Sequence, residues 1–320
     1  MNFLADHFLR TITALATILL LAGGMFTADA NPQRGIPDNL LMFGGYGDAA
    51  LVVDKEECSV SVYRKADFWK LESKYPCSSG KKNGDKQHAG DDRTPNGIYR
   101  FIRAWNDKQL QRQYGTTTAK LYGSGALVTD YPNFLDFIYY RKTGNGIWLH
   151  GVDRNNPQRP PRDTDGCLAL PNDEILKLVD RLEPLVTPVI IARKMRWAPS
   201  VEMEKLRLEF RLAIDMWRDS LEKGDMLDHL SLYADDFRYR DMDRSEWEAF
   251  RINVFDSRTL QSVRLEDVML VADPEVPDLY LSRFTQVLAT ADGPVSTTKR
   301  LYWRRNEGRR WQIVSEDAGE

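Results

Sequence analysis

Short apolar runs separated by turn residues fill the chain between about residues 45 and 196, a pattern typical of β-strands. Strand-type runs occur at 51–63, which reads as a hairpin, and at 97–102, 125–128, 137–140, 147–149 and 186–191. One clear helix is expected over 172–182, where Asn172 is a suitable cap and the apolar face consists of Ile175, Leu178, Val179 and Leu182. The pattern predicts a β-rich unit in which this helix packs directly after the loop that contains Cys167.

The hydrophobic period changes after a boundary expected near 196–202. Apolar residues recur every three or four positions from Leu206 to Leu221, which predicts an amphipathic helix that ends at Gly224. Shorter helical patterns follow at 227–233 and 244–255, and strand patterns at 263–271, 279–290, 297–303 and 310–315. Helices first and antiparallel strands after them predict an α+β layout for this second unit.

The N-terminus has the pattern of an export signal. Arg10 precedes a short apolar run over 11–26, and Ala28-Asp29-Ala30 supplies small residues for cleavage. We expect residues 1–30 to be a signal peptide and 31–44 an N-terminal segment, which predicts a periplasmic protein. An uncleaved N-terminal anchor is the alternative, although the run is short for a membrane span.

Composition limits the classes of function. A net charge of −3 and a pI near 5.9, with basic and acidic residues interleaved, argue against a nucleic-acid partner. The three cysteines are an odd number for an oxidising compartment. Cys58 and Cys77 lie in neighbouring strand-type segments, and whether they are bridged stays open. Cys167 is then the expected free thiol.

Cys167 ends the run Thr164-Asp165-Gly166-Cys167, and a predicted strand upstream ends at His150-Gly151. A thiolate is a strong nucleophile that needs a base or a cation beside it, and His150 is the candidate base. Gly166 allows close backbone approach beside the sulfur, and Gly151 is a candidate for orienting the imidazole. The alternative is that Cys167 is a small buried residue and His150 a core histidine.

Other polar and aromatic residues carry less information. His88 suggests zinc as an alternative, but no short metal-ligand spacing is present, so we expect no metal and no cofactor. His229 is expected at the surface. The tryptophans Trp217, Trp247, Trp303 and Trp311 are expected in the core or lining a pocket.

The segment from about 45 to 196 resembles the YkuD-type L,D-transpeptidase catalytic domain. The resemblance rests on His150-Gly151, on Thr164-Asp165-Gly166-Cys167, and on Thr94-Pro95-Asn96-Gly97-Ile98-Tyr99 after a Gly-rich loop at 79–85. Residues 200–320 resemble a nuclear-transport-factor-like cone, as in cell-shape peptidoglycan L,D-carboxypeptidases. The implied fold class is mixed, with a β-rich catalytic domain followed by an α+β cone.

This resemblance implies Cys167 and His150 as catalytic residues, Gly166 and Gly151 in oxyanion stabilisation and orientation, and Thr94, Tyr99, Thr164 and Arg162 in substrate binding. Two departures stand out. Asp165 occupies a position where many relatives carry His or Arg, and Ala169 one where many carry Arg. Arg154, Arg159 or Arg162 is a candidate substitute for a carboxylate-binding arginine, or all three are solvated loop charges.

The implied partner is the peptidoglycan stem peptide, attacked by Cys167 to form a thioester. Water as acceptor gives an L,D-carboxypeptidase that trims tetrapeptides to tripeptides, and an amine gives an L,D-transpeptidase; the cone favours trimming. The alternatives are an amidase that releases wall-linked lipoprotein and a non-catalytic wall-binding protein. Homodimerisation through either domain is compatible with the sequence.

Overall fold

The computed structural model describes residues 36–42, 44, 49–65, 69–144, 146–256, 260–291 and 293–318. The strands are β1 (Ile36–Pro37), β2 (Leu40–Met42), β3 (Ala49–Asp54), β4 (Ser59–Lys65), β5 (Trp69–Pro76), β6 (Ser79–Gly80), β7 (Gly97–Asn106), β8 (Gly125–Thr129), β9 (Trp148–Gly151), β10 (Arg162–Thr164), β11 (Leu168–Leu170), β12 (Pro188–Ala192), β13 (Trp197–Ala198), β14 (Tyr233–Arg238), β15 (Leu260–Ala272), β16 (Leu279–Thr290), β17 (Gly293–Arg305) and β18 (Trp311–Ala318). The helices are α1 (Asp107–Leu121), α2 (Phe134–Ile138), α3 (Asn172–Arg181), α4 (Ser200–Lys223), α5 (Met226–Ser231) and α6 (Arg244–Asp256).

The first sheet has eight strands in the order β11-β9-β8-β7-β12-β3-β4-β5. One face of this sheet packs against α3 through Ile175 and Leu178, which are 0% and 2% exposed. Since β3 and β12 are buried on both faces, their sequences are nearly continuous apolar runs rather than alternating ones. This sheet is the β-rich unit that the sequence predicts.

The second sheet has six strands in the order β14-β18-β17-β16-β15-β2, and α4 packs across one face. The helix ends where predicted, because Gly224 adopts the left-handed conformation with φ of 73°. All four tryptophans expected inside are buried. Strand β2 comes from the N-terminal segment, and it pairs with β15 at the edge of this sheet. The α+β layout is confirmed.

The two sheets share a hydrophobic core. Alternate residues of β3 face opposite sides, so Leu51 and Val53 pack on the α3 side while Ala50 and Val52 face the second sheet. From the second sheet, the side chains in this shared core include Met269, Val271, Leu279, Leu281, Tyr302 and Val314. The second sheet therefore covers part of the face of the first sheet that lies opposite α3.

A buried ion cluster also joins the two sheets. Arg300 on β17 is 3% exposed and lies 3.2 Å from Asp130, which follows β8, and 3.3 Å from Asp317 on β18. Arg100 on β7 approaches the same Asp130 carboxylate at 3.4 Å. Removal of Arg300 would take the ion-pair partner from Asp317 and leave Asp130 with Arg100 alone.

Three local predictions were wrong. The strand expected at 137–140 is helix α2, which starts at a capping box made by Asn133 and Asp136. Helix α1 was not anticipated, because Gly115 interrupts it and only Leu110 and Ala119 are buried, so no apolar stripe is visible. Asn172 is the first residue of α3 rather than its cap, which is Pro171.

His229 was expected at the surface and is fully buried instead. It packs 5.3 Å from the Trp217 ring and 5.6 Å from the Tyr233 ring, and its Nδ1 lies 3.2 Å from Ser220 Oγ. Burial lowers the pKa of His229 to about 3, so the imidazole is neutral at ordinary pH.

The predicted signal peptide at 1–30 lies outside the described residues. Among the helices that the structure describes, none is long and apolar enough to cross a membrane.

Candidate active site

His150 lies on β9, between β8 and β11 in the first sheet. Its neighbour Leu149 faces the α3 core, so the alternation of a strand turns His150 to the opposite side. The imidazole is 5% exposed and meets the Tyr122 ring edge-on, with centroids 5.2 Å apart. Strand and aromatic neighbour together hold the ring in one orientation.

The hydrogen bond of His150 defines its tautomer. Nδ1 lies 2.6 Å from the Gly151 carbonyl oxygen. Because a carbonyl can only accept, Nδ1 carries the proton and Nε2 keeps a free lone pair. Burial lowers the pKa of His150 to about 4, with the Gly151 hydrogen bond opposing and the Arg159 charge adding to this shift. His150 is therefore a neutral base at pH 7.

Gly151 is required at its position for steric reasons. A Cβ there would lie 2.3 Å from Asn172 Oδ1 and 2.9 Å from the Ser124 nitrogen. The Gly151 N–H donates to the Tyr122 carbonyl at 2.9 Å. The residue after the histidine thus fits only as glycine, and its carbonyl sets the imidazole tautomer.

Cys167 immediately precedes β11, which runs parallel to β9 with Leu168 opposite Leu149 and Ala169 opposite His150. Leu168 is in the core, so Cys167 and Ala169 belong to the face of the sheet that carries His150. The Cys167 thiol is free and partly exposed, and Sγ lies 3.4 Å from the Gly146 carbonyl oxygen. The thiol and the imidazole therefore come from adjacent strands.

Several groups act on the Cys167 thiol. Burial raises its pKa above the usual range, while a hydrogen bond from the Trp148 backbone and the charges of Lys86 and Arg159 work in the opposite direction; Asp165 adds to the rise. With His150 neutral as well, the resting site holds a thiol beside a neutral imidazole. The chemistry this arrangement can perform is proton transfer from sulfur to nitrogen followed by nucleophilic attack.

Two threonines hold the turn that carries the sulfur. Thr164 Oγ1 donates to the Cys167 carbonyl at 2.6 Å and accepts the Gly166 N–H at 3.2 Å. Thr94 Oγ1 donates to the Gly166 carbonyl at 2.8 Å. Gly166 has φ of +137°, and a Cβ there would lie 2.8 Å from the Arg93 carbonyl oxygen. Gly166 thus serves the turn, and its N–H is already bonded.

The four residues expected to bind substrate differ in how far they are buried. Tyr99 is 1% exposed, and its hydroxyl donates to the Asn96 carbonyl at 3.0 Å. Arg162 is exposed at the start of β10, paired with Ser79 on β6. Thr94 and Thr164 are buried under the Cys167 turn. Of the three loop arginines named from the sequence, Arg159 is the one whose charge acts on both His150 and Cys167.

Sequence reasoning missed two residues next to the site, Lys86 and Tyr122. Lys86 directly follows the Gly-rich loop at 79–85. Its place next to that loop was the sequence signal that could have identified it. Tyr122 belongs to an aromatic cluster on the His150 side of the sheet with Trp105, Tyr114 and Trp148, in which Tyr122 and Trp148 have centroids 4.6 Å apart. No sequence pattern links these four residues.

The other candidate residues lie away from the site. His88 is exposed on its loop, and the described residues contain no group of three or more His, Cys, Asp or Glu that could hold a metal ion. Cys58 and Cys77 are buried free thiols, and the Cys77 N–H donates to the Cys58 carbonyl at 2.8 Å.

Two family models and several solved structures match this chain. The sequence matches the L,D-transpeptidase catalytic domain family YkuD over residues 48–191 and the Cds6 C-terminal NTF2-like domain over residues 209–317. The structure is similar to Bd1075 of Bdellovibrio bacteriovorus, at 25% identity and a TM-score of 0.72, covering 89% of this chain and 98% of that one. It shares the fold of Pgp2, the helical cell shape determining protein of Campylobacter jejuni, at 24% identity and a TM-score of 0.70, covering 88% and 96%. Among curated proteins, none matches the sequence.

Proposed function

Because this chain combines a YkuD L,D-transpeptidase catalytic domain with a C-terminal NTF2-like domain of the Cds6 type, we propose that it is an exported L,D-carboxypeptidase of peptidoglycan stem peptides. Its nucleophile is Cys167 and its base is His150. The observation that carries the proposal is the hydrogen bond from His150 Nδ1 to the Gly151 carbonyl, in the strand beside the free Cys167 thiol. That bond leaves Nε2 as a neutral acceptor.

The reaction begins with transfer of the Cys167 proton to His150 Nε2. The thiolate attacks the carbonyl carbon that is bonded to the L-centre of the third stem residue. The electron pair of the carbonyl π bond moves to oxygen. When the carbonyl re-forms, the bond to the following D-amino acid breaks, and its amine takes the proton from His150. A thioester on Cys167 remains, which water hydrolyses with His150 again as base.

The tetrahedral intermediate carries a negative oxygen that needs hydrogen-bond donors. Since the Gly166 N–H is bonded to Thr164, the Cys167 backbone N–H is the donor we assign to this oxygen. Thr94 supports that assignment by donating to the Gly166 carbonyl, which lies in the same peptide plane as the Cys167 N–H. Gly166 contributes conformation rather than a hydrogen bond.

The substrate carboxylate needs a cation, and Ala169 stands where many relatives carry arginine. Ala169 is 2% exposed and exchanges backbone hydrogen bonds with Ser78, so its position lies inside the protein. Arg159 is a better candidate, because its charge reaches both His150 and Cys167 and its side chain is 27% exposed. The half-exposed Tyr114 and the Trp148 ring offer an apolar surface on the same side.

The C-terminal domain favours trimming over cross-linking. It packs against the face of the catalytic sheet opposite α3, through the shared core. Pgp2, which has the same fold at 24% identity, is a helical cell shape determining protein, and we extend a role in cell shape to this chain as part of the proposal. Export through the signal peptide at 1–30 and action in the periplasm belong to the same proposal.

Incubation of the purified protein with tetrapeptide muropeptides tests the function. Release of the terminal D-amino acid with a tripeptide product is the expected result, and Cys167→Ala should abolish it without loss of folded structure by circular dichroism. Dimeric muropeptides would mean transpeptidation instead. Turnover that persists in Cys167→Ala would remove the nucleophile assignment.

A further inference from the structure

A buried ion pair lies beneath the Cys167 turn, in the loop between β6 and β7. Lys86 Nζ is 2.7 Å from Asp91 Oδ1, and the two side chains are 3% and 5% exposed. The Asp91 carboxylate also accepts the backbone N–H groups of Gln87 at 2.7 Å, His88 at 3.2 Å and Arg93 at 3.2 Å. Burial favours the neutral acid, but these bonds and Lys86 hold the pKa of Asp91 well below its usual range. The Lys86 charge is therefore fixed in place.

The Lys86 ammonium lies against the residue next to the nucleophile. Its Nζ is 3.5 Å from the position that a Cβ on Gly166 would occupy. The Arg93 carbonyl oxygen and Ile147 Cδ1 approach the same position at 2.8 Å and 3.2 Å. The ammonium thus closes the buried side of the turn that holds the sulfur.

Other charged and titratable groups also face Cys167. The groups are Asp165 on its own turn, His150 on β9, Arg159 on the connecting loop, Tyr122 after α1, and Lys86. Asp165 is 81% exposed and paired with Lys81 at 2.6 Å, and Arg159 is 27% exposed and 3.9 Å from Asp163. His150 is neutral at rest. Within the described part of the chain, Lys86 is the buried cation acting on the sulfur, and charge interactions are stronger where water is excluded.

We propose that Lys86 is a positioning residue that stabilises negative charge on Cys167 when His150 removes its proton, and that Asp91 holds the Lys86 ammonium in place. The inference rests on the proposed function of Cys167 as nucleophile. In the step concerned, the S–H bond breaks, the proton goes to His150 Nε2, and the electron pair stays on sulfur. Lys86 remains protonated throughout, so it exchanges no proton and takes no part in bond formation.

The alternative role for this ion pair is purely structural, and two single substitutions separate the roles by the sign of their effects. Lys86→Met leaves the Asp91 carboxylate uncompensated near the sulfur, so it should disfavour the thiolate. Asp91→Asn leaves the ammonium unpaired, so it should favour the thiolate. Both substitutions break the same ion pair. A purely structural role therefore predicts that both shift the pH profile of Cys167 ionisation in the same direction.

The measurement is the rate of Cys167 alkylation by iodoacetamide from pH 6 to pH 10, followed by mass spectrometry of the intact protein. We expect Lys86→Met to move the rate profile to higher pH by about one unit, which slows alkylation about tenfold at pH 7. Asp91→Asn should move the profile to lower pH, and Lys86→Arg should stay near the parent. Shifts of the same sign in Lys86→Met and Asp91→Asn, or no shift in either, would overturn the proposal.

Controls keep the experiment independent of turnover and of folding. Cys167→Ala should take up no label, since Cys58 and Cys77 are buried. Lys81→Met removes a lysine that is 50% exposed and should leave the profile within about 0.3 unit of the parent. If Lys86→Met does not fold, Lys86→Gln removes the charge and keeps a hydrogen-bond donor for Asp91, and an unshifted profile there contradicts the proposal. If the protein releases no tripeptide from muropeptides but the alkylation profiles shift as expected, the proposed function is rejected and the role of Lys86 is retained.

Discussion

The enzyme should stay active at pH values well below the pKa of an ordinary histidine, because its base, His150, is buried. Burial lowers the pKa of His150 to about 4. At pH 5.5 a histidine with that pKa is about 97% neutral, whereas one with an unperturbed pKa near 6.5 is about 9% neutral. We therefore expect kcat/KM at pH 5.5 to be about tenfold higher, relative to its value at pH 7.5, than an exposed histidine base would allow.

The same burial makes the fold sensitive to acid. A histidine whose folded pKa is lowered costs no stability above the unfolded pKa near 6.5, and the cost grows as pH falls toward the folded pKa. His150 and His229 both behave this way, with pKa values of about 4 and about 3. Each should cost about 1 kcal/mol of unfolding free energy between pH 7.5 and pH 5.5.

The assay is kcat/KM for tetrapeptide trimming from pH 5 to pH 8, with urea unfolding at each pH. His229→Asn keeps a hydrogen-bonding group for Ser220 and removes the titrating ring, so its stability should fall about 1 kcal/mol less than that of the parent over this range while its rate profile stays unchanged. An acid limb near pH 6.5 in a protein that remains folded would refute the reasoning about His150.

Two further substitutions test the packing around the site. Gly151→Ala places a Cβ 2.3 Å from Asn172 Oδ1 and should cost about 1–3 kcal/mol in urea unfolding, together with lower kcat. Gly308→Ala, whose Cβ would meet only Asn306 Oδ1 at 3.4 Å, is the matched control, and equal losses in both would contradict the steric argument. Arg300→Met should cost about 3–5 kcal/mol because Asp317 loses its ion-pair partner and Asp130 keeps Arg100 alone. Arg304→Met, in an exposed pair with Asp236, should cost under about 1 kcal/mol, and a similar cost for the two arginines would argue against an interdomain role for the cluster.

The sequence predicted correctly those features that depend on residues close together in the chain. Apolar spacing predicted α4 and its end at Gly224, and alternation predicted the long strands of the second sheet. His150-Gly151 and the run ending at Cys167 pointed to a pair of residues that the structure carries on adjacent strands. These features depend on neighbours a few residues apart, which a sequence displays directly.

Tertiary packing decided the rest, because the deciding neighbours are distant in sequence. His229 directly follows Asp228 in the sequence and yet is buried, since Trp217 and Tyr233 pack around it. Residues 137–140 have a strand-like composition, but the cap at Asn133 and the surrounding core make the segment helical from Phe134 to Ile138. Strand β2 joins a sheet whose other strands lie far downstream in the chain, between Tyr233 and Ala318.

The electrostatics of the site illustrate the same division. The sequence alone shows that an imidazole is available at the end of a predicted strand and a thiol directly after Gly166. Only the folded structure decides that the imidazole is neutral, that its Nδ1 bonds to Gly151, and that Lys86 lies beneath the sulfur. The physical reason is that burial and charge depend on distances in space between residues from different elements, and no linear pattern specifies those distances.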